Sequence, residues 1–314
     1  MSDHRAAAPD RASFGGLTPP NLARSGHVRA FLRLVMIEHS IFALPFAYIA
    51  TLTAMWRNGG DVQWGRLVGI TVAMVSARTV AMGANRILDR RFDALNPRTA
   101  RRELVTGAVT VRTATTGTLL ALVVFLVTCW LLRPICLVLA PIAIFLLVLY
   151  SYGKRFTDFP QVLLALAQFV APVGAWIAVT GHASWASVWL GVAVGTWIGG
   201  FDLIYSCQDA EVDRQIGSRS FPARFGIRAA LRTSSVVHAA TATAYALFGV
   251  AAGLSWLWWV GLTLMAGVLA YEHAIVRADD LSRVNRAFFT ANGVIGLGLF
   301  GFALADLVTQ GLRW

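Results

Sequence analysis

Long apolar runs, separated by short polar or charged breaks, dominate the chain from residue 31 to residue 308. An apolar run of roughly 18 residues or more is long enough to cross the hydrocarbon core of a bilayer as a helix. Such runs recur throughout the chain, which predicts an all-α, polytopic membrane protein with nine transmembrane helices. The predicted spans are 31–56, 65–87, 112–132, 134–151, 161–181, 186–206, 233–253, 255–275 and 287–308.

The first 26 residues do not continue this pattern. They are polar and rich in Ala, Pro and Arg, and such a segment does not bury enough apolar surface to fold. We therefore expect residues 1–26 to form a disordered tail and residues 27–314 to form one transmembrane domain. The three cysteines, Cys129, Cys136 and Cys207, lie in apolar runs without a CxxC spacing, which is typical of small buried side chains.

The basic residues indicate how the predicted helices cross the membrane. The net charge is +11, and most of the 27 Lys and Arg residues fall on one side if nine spans start from a cytoplasmic N-terminus. Cytoplasmic loops of membrane proteins carry such an excess. We therefore interpret the positive charge as facing anionic lipid, and we expect no nucleic-acid partner.

A first row of polar side chains follows the second apolar run. Asn85, Asp89 and Asp93 are spaced by four residues, so on a helix they lie along one stripe at intervals of roughly 6 Å. A single Asp-x3-Asp pattern at a helix end is more often a solvated face than a binding site. This row alone therefore does not establish a function.

A second row follows the sixth apolar run. Asp202, Asp209 and Asp213 are spaced by seven and four residues and also share a helix face, with Tyr205 close by. In the predicted topology both rows lie at the cytoplasmic ends of spans. Two acidic rows at one membrane surface favour a binding site over two coincidental solvated faces.

The residue types in the two rows point to a divalent cation and a diphosphate. Oxygen ligands without His or Cys select Mg²⁺ or Mn²⁺, and Mg²⁺ usually completes its shell with water and phosphate oxygens. Because the site lies at a bilayer surface, the rest of the substrate is expected to be hydrocarbon, as in an isoprenoid diphosphate. Nearby basic residues are expected to clamp the phosphates: Arg98, Arg101, Arg102, Lys154 and Arg155.

Taken together, these motifs resemble the UbiA superfamily of intramembrane aromatic prenyltransferases. The family pattern is N-D-x2-D-x3-D, then Y-x3-K, then D-x6-D-x3-D. The matching residues of this chain are Asn85, Asp89, Asp93, Tyr150, Lys154, Asp202, Asp209 and Asp213. The stretches "IEHSIFALPFAY", "APVGAWIAVTG" and "FPARFG" also resemble the bacterial quinone-pathway branch, whereas Arg86 stands where many members have the first Asp.

The resemblance implies a ring of nine helices around a central cavity, with one Mg²⁺ held by each acidic row. It implies metal ligands at Asn85, Asp89, Asp93, Asp202, Asp209 and Asp213. It implies catalytic roles for Asp89, Asp93, Lys154, Asp209 and Asp213. It implies substrate contacts from Arg98, Arg102, Tyr150, Lys154 and Tyr205.

The expected reaction is Mg²⁺-dependent transfer of a polyprenyl group from its diphosphate to a hydroxylated aromatic acid. The acceptor would be of the 4-hydroxybenzoate or dihydroxynaphthoate type, in ubiquinone or menaquinone biosynthesis at the bacterial inner membrane. A different acceptor, such as haem, a chlorophyll precursor or a sugar phosphate, stays open, as does a membrane transporter. A charged pair between Glu38 and Arg78 is a further structural possibility within the spans.

Overall fold

Helices joined by short turns make up almost all of the part of the chain that the structure describes. The structure is a computed structural model, and it describes residues 40–286 and 292–314 together with Leu34. The helices in chain order are α1 (Ser40–Arg57), α2 (Trp64–Leu95), α3 (Glu103–Thr106), α4 (Val111–Leu132), α5 (Pro134–Phe156), α6 (Pro160–Thr180), α7 (Trp185–Ser206), α8 (Ala210–Ile216), α9 (Phe221–Phe225), α10 (Ile227–Ala252), α11 (Trp256–Ile275), α12 (Val284–Arg286) and α13 (Asn292–Thr309).

The protein is a multi-pass membrane protein. Among the described residues, seven helices are long and apolar enough to cross a bilayer, and these are α2, α4, α5, α6, α10, α13 and α7 with its extension to Ile216. Helices α1 and α11 have 18 and 20 residues but do not meet the same criterion. The all-α class is therefore confirmed, whereas the nine spans stay a prediction. The tail 1–26 and Glu38 lie outside the described residues.

The second predicted span, 65–87, is too short. In the structure α2 continues without a break to Leu95, and the whole first acidic row lies on it. The extension follows from composition, because good helix formers such as Leu, Arg and Ala continue past the apolar run. A hydropathy window ends where charge begins, but a helix does not have to end there.

The long helices pack in chain order into a ring. Each neighbouring pair from α4 to α7 is in contact, α7 packs on α10, α10 on α11, α11 on α13, and α13 returns to α1. The space inside is divided unequally. One large core cluster, with Phe46, Trp197, Tyr245, Phe248 and Trp258 among its members, fills the region between α1, α6, α7, α10, α11 and α13. An open cavity is left on the side of α2, α4, α5, α6 and α7.

Glycines hold α7 close to α6. Gly191, Gly195 and Gly199 recur every four residues on α7 and therefore form one stripe, and small residues let helix backbones approach in membranes. A Cβ at Gly195 would lie 2.5 Å from the carbonyl oxygen of Ala165, and one at Gly191 would lie 2.6 Å from the ring of Phe169. Neither position has room for a larger side chain.

Polar contacts hold α7 to α10 on its other side. The Ser234 hydroxyl donates to the carbonyl oxygen of Gly200 at 2.6 Å, and His238 Nε2 lies 3.2 Å from the carbonyl oxygen of Trp197. The ring of His238 occupies the space in which a Cβ on Gly200 would sit. Because both faces of α7 are fixed in this way, the position of the second acidic row at its end is also fixed.

We predict that Gly195→Ala destabilises the protein, because the added methyl group meets the backbone of Ala165, which cannot rotate away. Overpacking of this kind costs about 1–3 kcal/mol. The matched control is Gly298→Ala on α13, where a Cβ would meet nothing within 4 Å. Thermal unfolding of both variants in detergent should show a lower midpoint for Gly195→Ala only. Equal midpoints for the two variants would contradict the close α6–α7 packing.

Candidate active site

The first acidic row forms one stripe of α2, as expected. The Asn85 side-chain amide donates to Asp89 Oδ2 at 2.9 Å, which joins two neighbours one helical turn apart. Asp93, one turn further on, is 6% exposed. All three side chains line the open cavity.

Asp89 has a counter-charge from α5. Arg155 Nη2 lies 3.1 Å from Asp89 Oδ1, and its guanidinium lies 5.1 Å from the centre of the Phe92 ring and 5.0 Å from that of Tyr152. The same group donates to the carbonyl oxygen of Leu88 at 2.7 Å. The structure thus gives Arg155 a different place from the predicted phosphate clamp: it holds Asp89 and does not line the cavity.

Asp93 is paired with a residue of the loop that follows α2. Arg102 Nη1 donates to Asp93 Oδ1 at 2.6 Å, and the Thr99 hydroxyl donates to the Asp93 carbonyl oxygen at 3.0 Å. The 96–102 loop therefore folds back over the end of its own helix. The contact explains why an acid on this last turn of the helix can be buried.

The same loop reaches across the cavity to Asp209. Arg98 Nε donates to Asp209 Oδ1 at 2.9 Å, and Asn96 Nδ2 donates to the same oxygen at 3.2 Å. Arg98 Nη1 also donates to the Tyr205 hydroxyl at 3.2 Å. Burial alone would lower the pKa of Arg98, but the hydrogen bond and negative charge of Asp209 outweigh burial and raise that pKa above its ordinary value. Arg98 therefore stays charged.

The ion pair of Asp213 is longer than those of Asp89, Asp93 and Asp209. Lys154 Nζ lies 3.6 Å from Asp213 Oδ1, and 43% of the lysine side chain is exposed. Asp213 Oδ2 is buried without a hydrogen-bond partner among the described residues. A buried carboxylate oxygen without a partner is costly, which makes this atom a natural ligand position.

The second acidic row does not lie on one regular helix. Asp202 is on α7, Asp209 ends a 3-10 turn formed by Cys207–Asp209, and Asp213 is on α8. The prediction of a shared face on a regular helix was wrong in this detail. The turn displaces Asp209 from the regular 3.6-residue periodicity, but the three acids still line the same cavity.

Apart from Arg101 and Arg155, the residues that the sequence predicted for the site lie around this single cavity, which has a volume of about 820 Å³. The predicted residues that line it are Asn85, Asp89, Asp93, Arg98, Arg102, Tyr150, Lys154, Asp202, Tyr205, Asp209 and Asp213. Tyr150 lines the cavity together with residues of both acidic rows. The individual roles of these residues stay predictions.

The charges around the cavity are balanced in pairs. Two facing rows of carboxylates repel each other unless positive charge lies between them. In the structure each of four aspartates has a basic partner from the protein: Asp89 with Arg155, Asp93 with Arg102, Asp209 with Arg98 and Asp213 with Lys154. The acids are therefore neutralised locally, and the rows can approach each other.

The remainder of the cavity is apolar and also contains the half-buried Arg78. Its walls away from the acids include Ile70, Phe125, Leu132 and Cys136. Arg78 lies about two helical turns before Asn85 on α2, and its Nε is buried without a partner among the described residues. A guanidinium with a buried, unpaired nitrogen that faces an apolar cavity is a strong candidate for binding an anionic group.

Arg86 does not replace the missing acid of the family pattern. It is 6% exposed, and its Nε donates to the carbonyl oxygen of Leu34 at 3.3 Å. Because a guanidinium is always protonated in proteins, it has no lone pair for a metal ion. The first row therefore offers a metal only Asn85, Asp89 and Asp93.

The donors at the acidic end of the cavity fit Mg²⁺. They are carboxylate and amide oxygens, whereas Cys129 and Cys136 belong to an apolar cluster of the cavity wall. Asp213 Oδ2 is a buried acceptor without a partner among the described residues. In the described part of the chain no three Asp, Glu, His or Cys side chains are grouped closely enough to hold one ion. That arrangement suits Mg²⁺, which is often bound by one or two carboxylates with substrate phosphates as further ligands.

Sequence reasoning missed Asn96, which binds Asp209. It named Arg155 and Arg78 but in other roles: Arg155 contacts Asp89 rather than lining the cavity, and Arg78 faces the apolar part of the cavity. Asn96 ends α2 just before Pro97, a position that reads as an ordinary helix stop. Its contact with Asp209 spans 113 positions, so nothing in the local pattern signals it.

Comparisons with known proteins agree with this geometry. The profile of the UbiA prenyltransferase family matches residues 43–294, which is most of the chain. The chain belongs to the UbiA prenyltransferase family. It is therefore a prenyltransferase, and this assignment favours an enzyme over the transporter considered above.

Curated relatives of this UbiA protein share its length. The 4-hydroxybenzoate octaprenyltransferase of Xanthomonas campestris pv. campestris (strain B100) is 33% identical over 294 residues, which cover 93% of this chain and 96% of the relative. The 4-hydroxybenzoate octaprenyltransferase of Paraburkholderia phytofirmans is 30% identical over 278 residues, which cover 87% and 95%.

Solved structures of UbiA proteins share the fold. The apo structure of a UbiA homolog from Aeropyrum pernix K1 has a TM-score of 0.78 and 31% identity, and the match covers 86% of this chain and 98% of that one. A UbiA homolog from Archaeoglobus fulgidus bound to GPP and Mg²⁺ has a TM-score of 0.66 and 18% identity, with 89% and 99% covered. At that lower identity the likeness shows the fold alone.

We predict that Arg155→Leu lowers prenyl transfer by at least about tenfold, because Asp89 loses its counter-charge and its fixed orientation. Arg155→Lys should recover only part of the activity, since lysine cannot reproduce the planar contact with the two rings. Arg101→Leu is the matched control, because Arg101 is exposed and lines no part of the cavity. Activity in isolated membranes should separate the two leucine variants, and normal transfer by Arg155→Leu would show that Asp89 needs no support.

Proposed function

We propose that this UbiA-family enzyme transfers a polyprenyl group from a polyprenyl diphosphate to a hydroxylated aromatic acid in a Mg²⁺-dependent reaction. One observation carries the proposal: a single cavity joins the paired acidic rows to an apolar interior that contains Arg78. The polar end of the cavity, where acidic and basic side chains are paired, suits a diphosphate. The apolar interior suits an isoprenoid chain. The names of the relatives, 4-hydroxybenzoate octaprenyltransferase, support the same substrates.

We assign a second role to the basic residues at the polar end of the cavity, which is to bind the diphosphate when substrate is present. Arg98 and Lys154 are the more exposed members of their ion pairs, at 39% and 43%, so their side chains have room to turn towards an entering phosphate. Arg102 is more enclosed, at 26%. Each would exchange a carboxylate for a phosphate oxygen and stabilise the charge that develops on the leaving diphosphate.

The aspartates freed by this exchange become available to a metal. Asn85, Asp89 and Asp93 would hold Mg²⁺ on one side, and Asp202, Asp209 and Asp213 would hold it on the other. Bound Mg²⁺ supplies positive charge that offsets the negative charge of a diphosphate. Solved UbiA homologs bound to GPP or DMAPP together with Mg²⁺ support the use of a divalent ion.

The apolar walls protect the reacting carbon. In the proposed reaction the carbon–oxygen bond to diphosphate breaks with its electron pair on oxygen, and a ring carbon of the acceptor forms the new carbon–carbon bond. A base then removes the ring proton, and its electron pair restores the aromatic ring. Water would intercept the allylic cation, so a closed apolar cavity is required. Trp197 and Phe201 line it and can stabilise positive charge through their ring faces.

Arg78 is the residue that we assign to the acceptor. A carboxylate on the aromatic ring would pair with its guanidinium within the apolar cavity, and a charge-assisted bond there fixes the ring relative to the acidic rows. This arrangement favours an aromatic acid over acceptors without a carboxylate. Either 4-hydroxybenzoate or a dihydroxynaphthoate satisfies it, so a panel of both with mass analysis of products identifies the acceptor.

The membrane arrangement belongs to the same proposal. We propose that α1 and α11 also cross the bilayer, which gives nine spans with a cytoplasmic N-terminus. The acidic rows then open towards the cytoplasm of a bacterial inner membrane, where water-soluble acceptor and Mg²⁺ are available. The excess of Lys and Arg on the loops of that side supports this orientation.

We predict that Asp213→Asn lowers transfer on the order of a hundredfold, because the unpartnered Oδ2 is lost as a metal-binding oxygen. The expected readout is a higher Mg²⁺ concentration for half-maximal activity together with a lower maximal rate. Glu211→Gln is the matched control, since Glu211 is an exposed acid on the same helix. An unchanged Mg²⁺ dependence in Asp213→Asn would remove Asp213 from the metal site.

We predict that Arg78→Leu raises the KM for an aromatic acid at least about tenfold, because a charge-assisted contact in an apolar site is lost. The KM for the prenyl diphosphate should change little. A phenol that lacks the carboxylate serves as the internal control, because wild type and variant should use it equally. If Arg78→Leu impairs the acid and the phenol to the same extent, Arg78 does not bind the carboxylate.

A further inference from the structure

A second cavity lies outside the active site, where α10 begins and α11 ends. It has a volume of about 430 Å³. Its lining includes Arg228, Arg232 and Arg277 above an apolar floor of Leu231 and Val276. It shares no lining residue with the cavity that holds the acidic rows.

The charges in this cavity are not balanced by the protein. Arg228 and Arg232 are separated by four residues on α10, so the two guanidinium groups lie on the same face and repel each other. Neither makes a hydrogen bond or ion pair within the described residues. Asp279 is the one acid that lines the cavity, and it is already paired with Arg277 at 3.1 Å. The cavity therefore carries net positive charge.

The position of the cavity suits a ligand that is partly in the bilayer. Arg228 lies in the first turn of α10, one of the helices that can cross a membrane, so the cavity is at the level of the lipid headgroups. Apolar surface continues from it towards the bilayer interior, with Val236 at 71% and Tyr271 at 57% exposure. Basic pockets between helix ends, with lipid-facing apolar surface beside them, bind anionic headgroups.

We propose that this cavity binds the phosphate of an anionic phospholipid, with Arg228, Arg232 and Arg277 around the headgroup. The acyl chains lie along the exposed apolar faces of α10 and α11. A free phosphate would satisfy the arginines but leave the adjoining apolar surface without a partner. A zwitterionic lipid brings its own positive charge to an unbalanced positive site, so it binds less well.

The bound lipid also stabilises residues that pack against the active site. Leu231 and Val276, which form the floor of the second cavity, pack in one apolar cluster with Tyr205 and Ile204 of α7. Tyr205 in turn accepts a hydrogen bond from Arg98, the partner of Asp209. A headgroup that fixes the arginines of α10 and of the turn at Arg277 therefore stabilises the wall on which the second acidic row rests.

The experiment measures lipid binding directly and does not depend on turnover. The purified full-length protein in detergent is mixed with phosphatidylglycerol, with phosphatidylcholine or with inorganic phosphate, and bound species are counted by native mass spectrometry. The test variant is Arg228→Gln/Arg232→Gln, and the charge-matched control is Arg224→Gln/Arg283→Gln, two exposed arginines outside the cavity. Arg228→Lys/Arg232→Lys keeps the charge. Lipid binding by this variant shows that replacing both arginines does not by itself unfold the protein.

Wild type and the control pair should retain phosphatidylglycerol over phosphatidylcholine, and the Arg228→Gln/Arg232→Gln variant should bind it about tenfold more weakly. The lysine variant should retain most of the binding. Equal binding by wild type and the glutamine variant overturns the proposal. An equal loss in the control pair also overturns it, because general surface charge would then explain the effect. Displacement of the lipid by inorganic phosphate at similar concentrations would show a free-phosphate site instead.

Discussion

The charge balance of four aspartates at the end of an apolar cavity is the constraint on which this structure depends. Carboxylates at that depth are costly unless a counter-charge is close. Each of the four has one basic partner from the protein, and the partners come from a loop after α2 and from the end of α5. Those pairings fold the 96–102 loop over the cavity and draw α5 towards α2. They also leave Asp213 Oδ2 without a partner among the described residues, and a bound ligand could satisfy this buried oxygen.

The helix packing turns that charge balance into a site of defined shape. The glycine stripe of α7 fixes it against α6, and the contacts of Ser234 and His238 fix it against α10. Since the far half of the ring is filled by an apolar core, the cavity that holds the acidic rows lies beside α2, α4, α5, α6 and α7. In the proposed function a long hydrocarbon chain and a flat aromatic ring share this cavity. Arg78 would then distinguish their places within it, because an isoprenoid offers no group for a guanidinium to bind.

The sequence predicted the helices, and which side chains share one cavity, better than it predicted the contacts between those side chains. Helical spacing was sufficient for Asn85, Asp89 and Asp93, because α2 is regular through Leu95. The 3-10 turn that ends at Asp209 was missed. The contacts of Asp209 with Asn96 and Arg98 were missed as well, because these residues come from another part of the chain. Arg155 was expected to face phosphate because a basic residue next to Lys154 reads as part of the same clamp. Its real position follows from the approach of α5 to Phe92 and Asp89, which no periodicity encodes.

The central claim is that the two acidic rows jointly hold divalent ions around a diphosphate. The most direct test is anomalous diffraction from crystals of the protein grown with Mn²⁺ and a non-hydrolysable thio analogue of a prenyl diphosphate. We expect anomalous peaks between the oxygens of Asn85, Asp89 and Asp93 and those of Asp202, Asp209 and Asp213, with the analogue's phosphates in contact with the ions. Well-ordered analogue in the cavity with Mn²⁺ absent from both rows, or bound elsewhere, would contradict it.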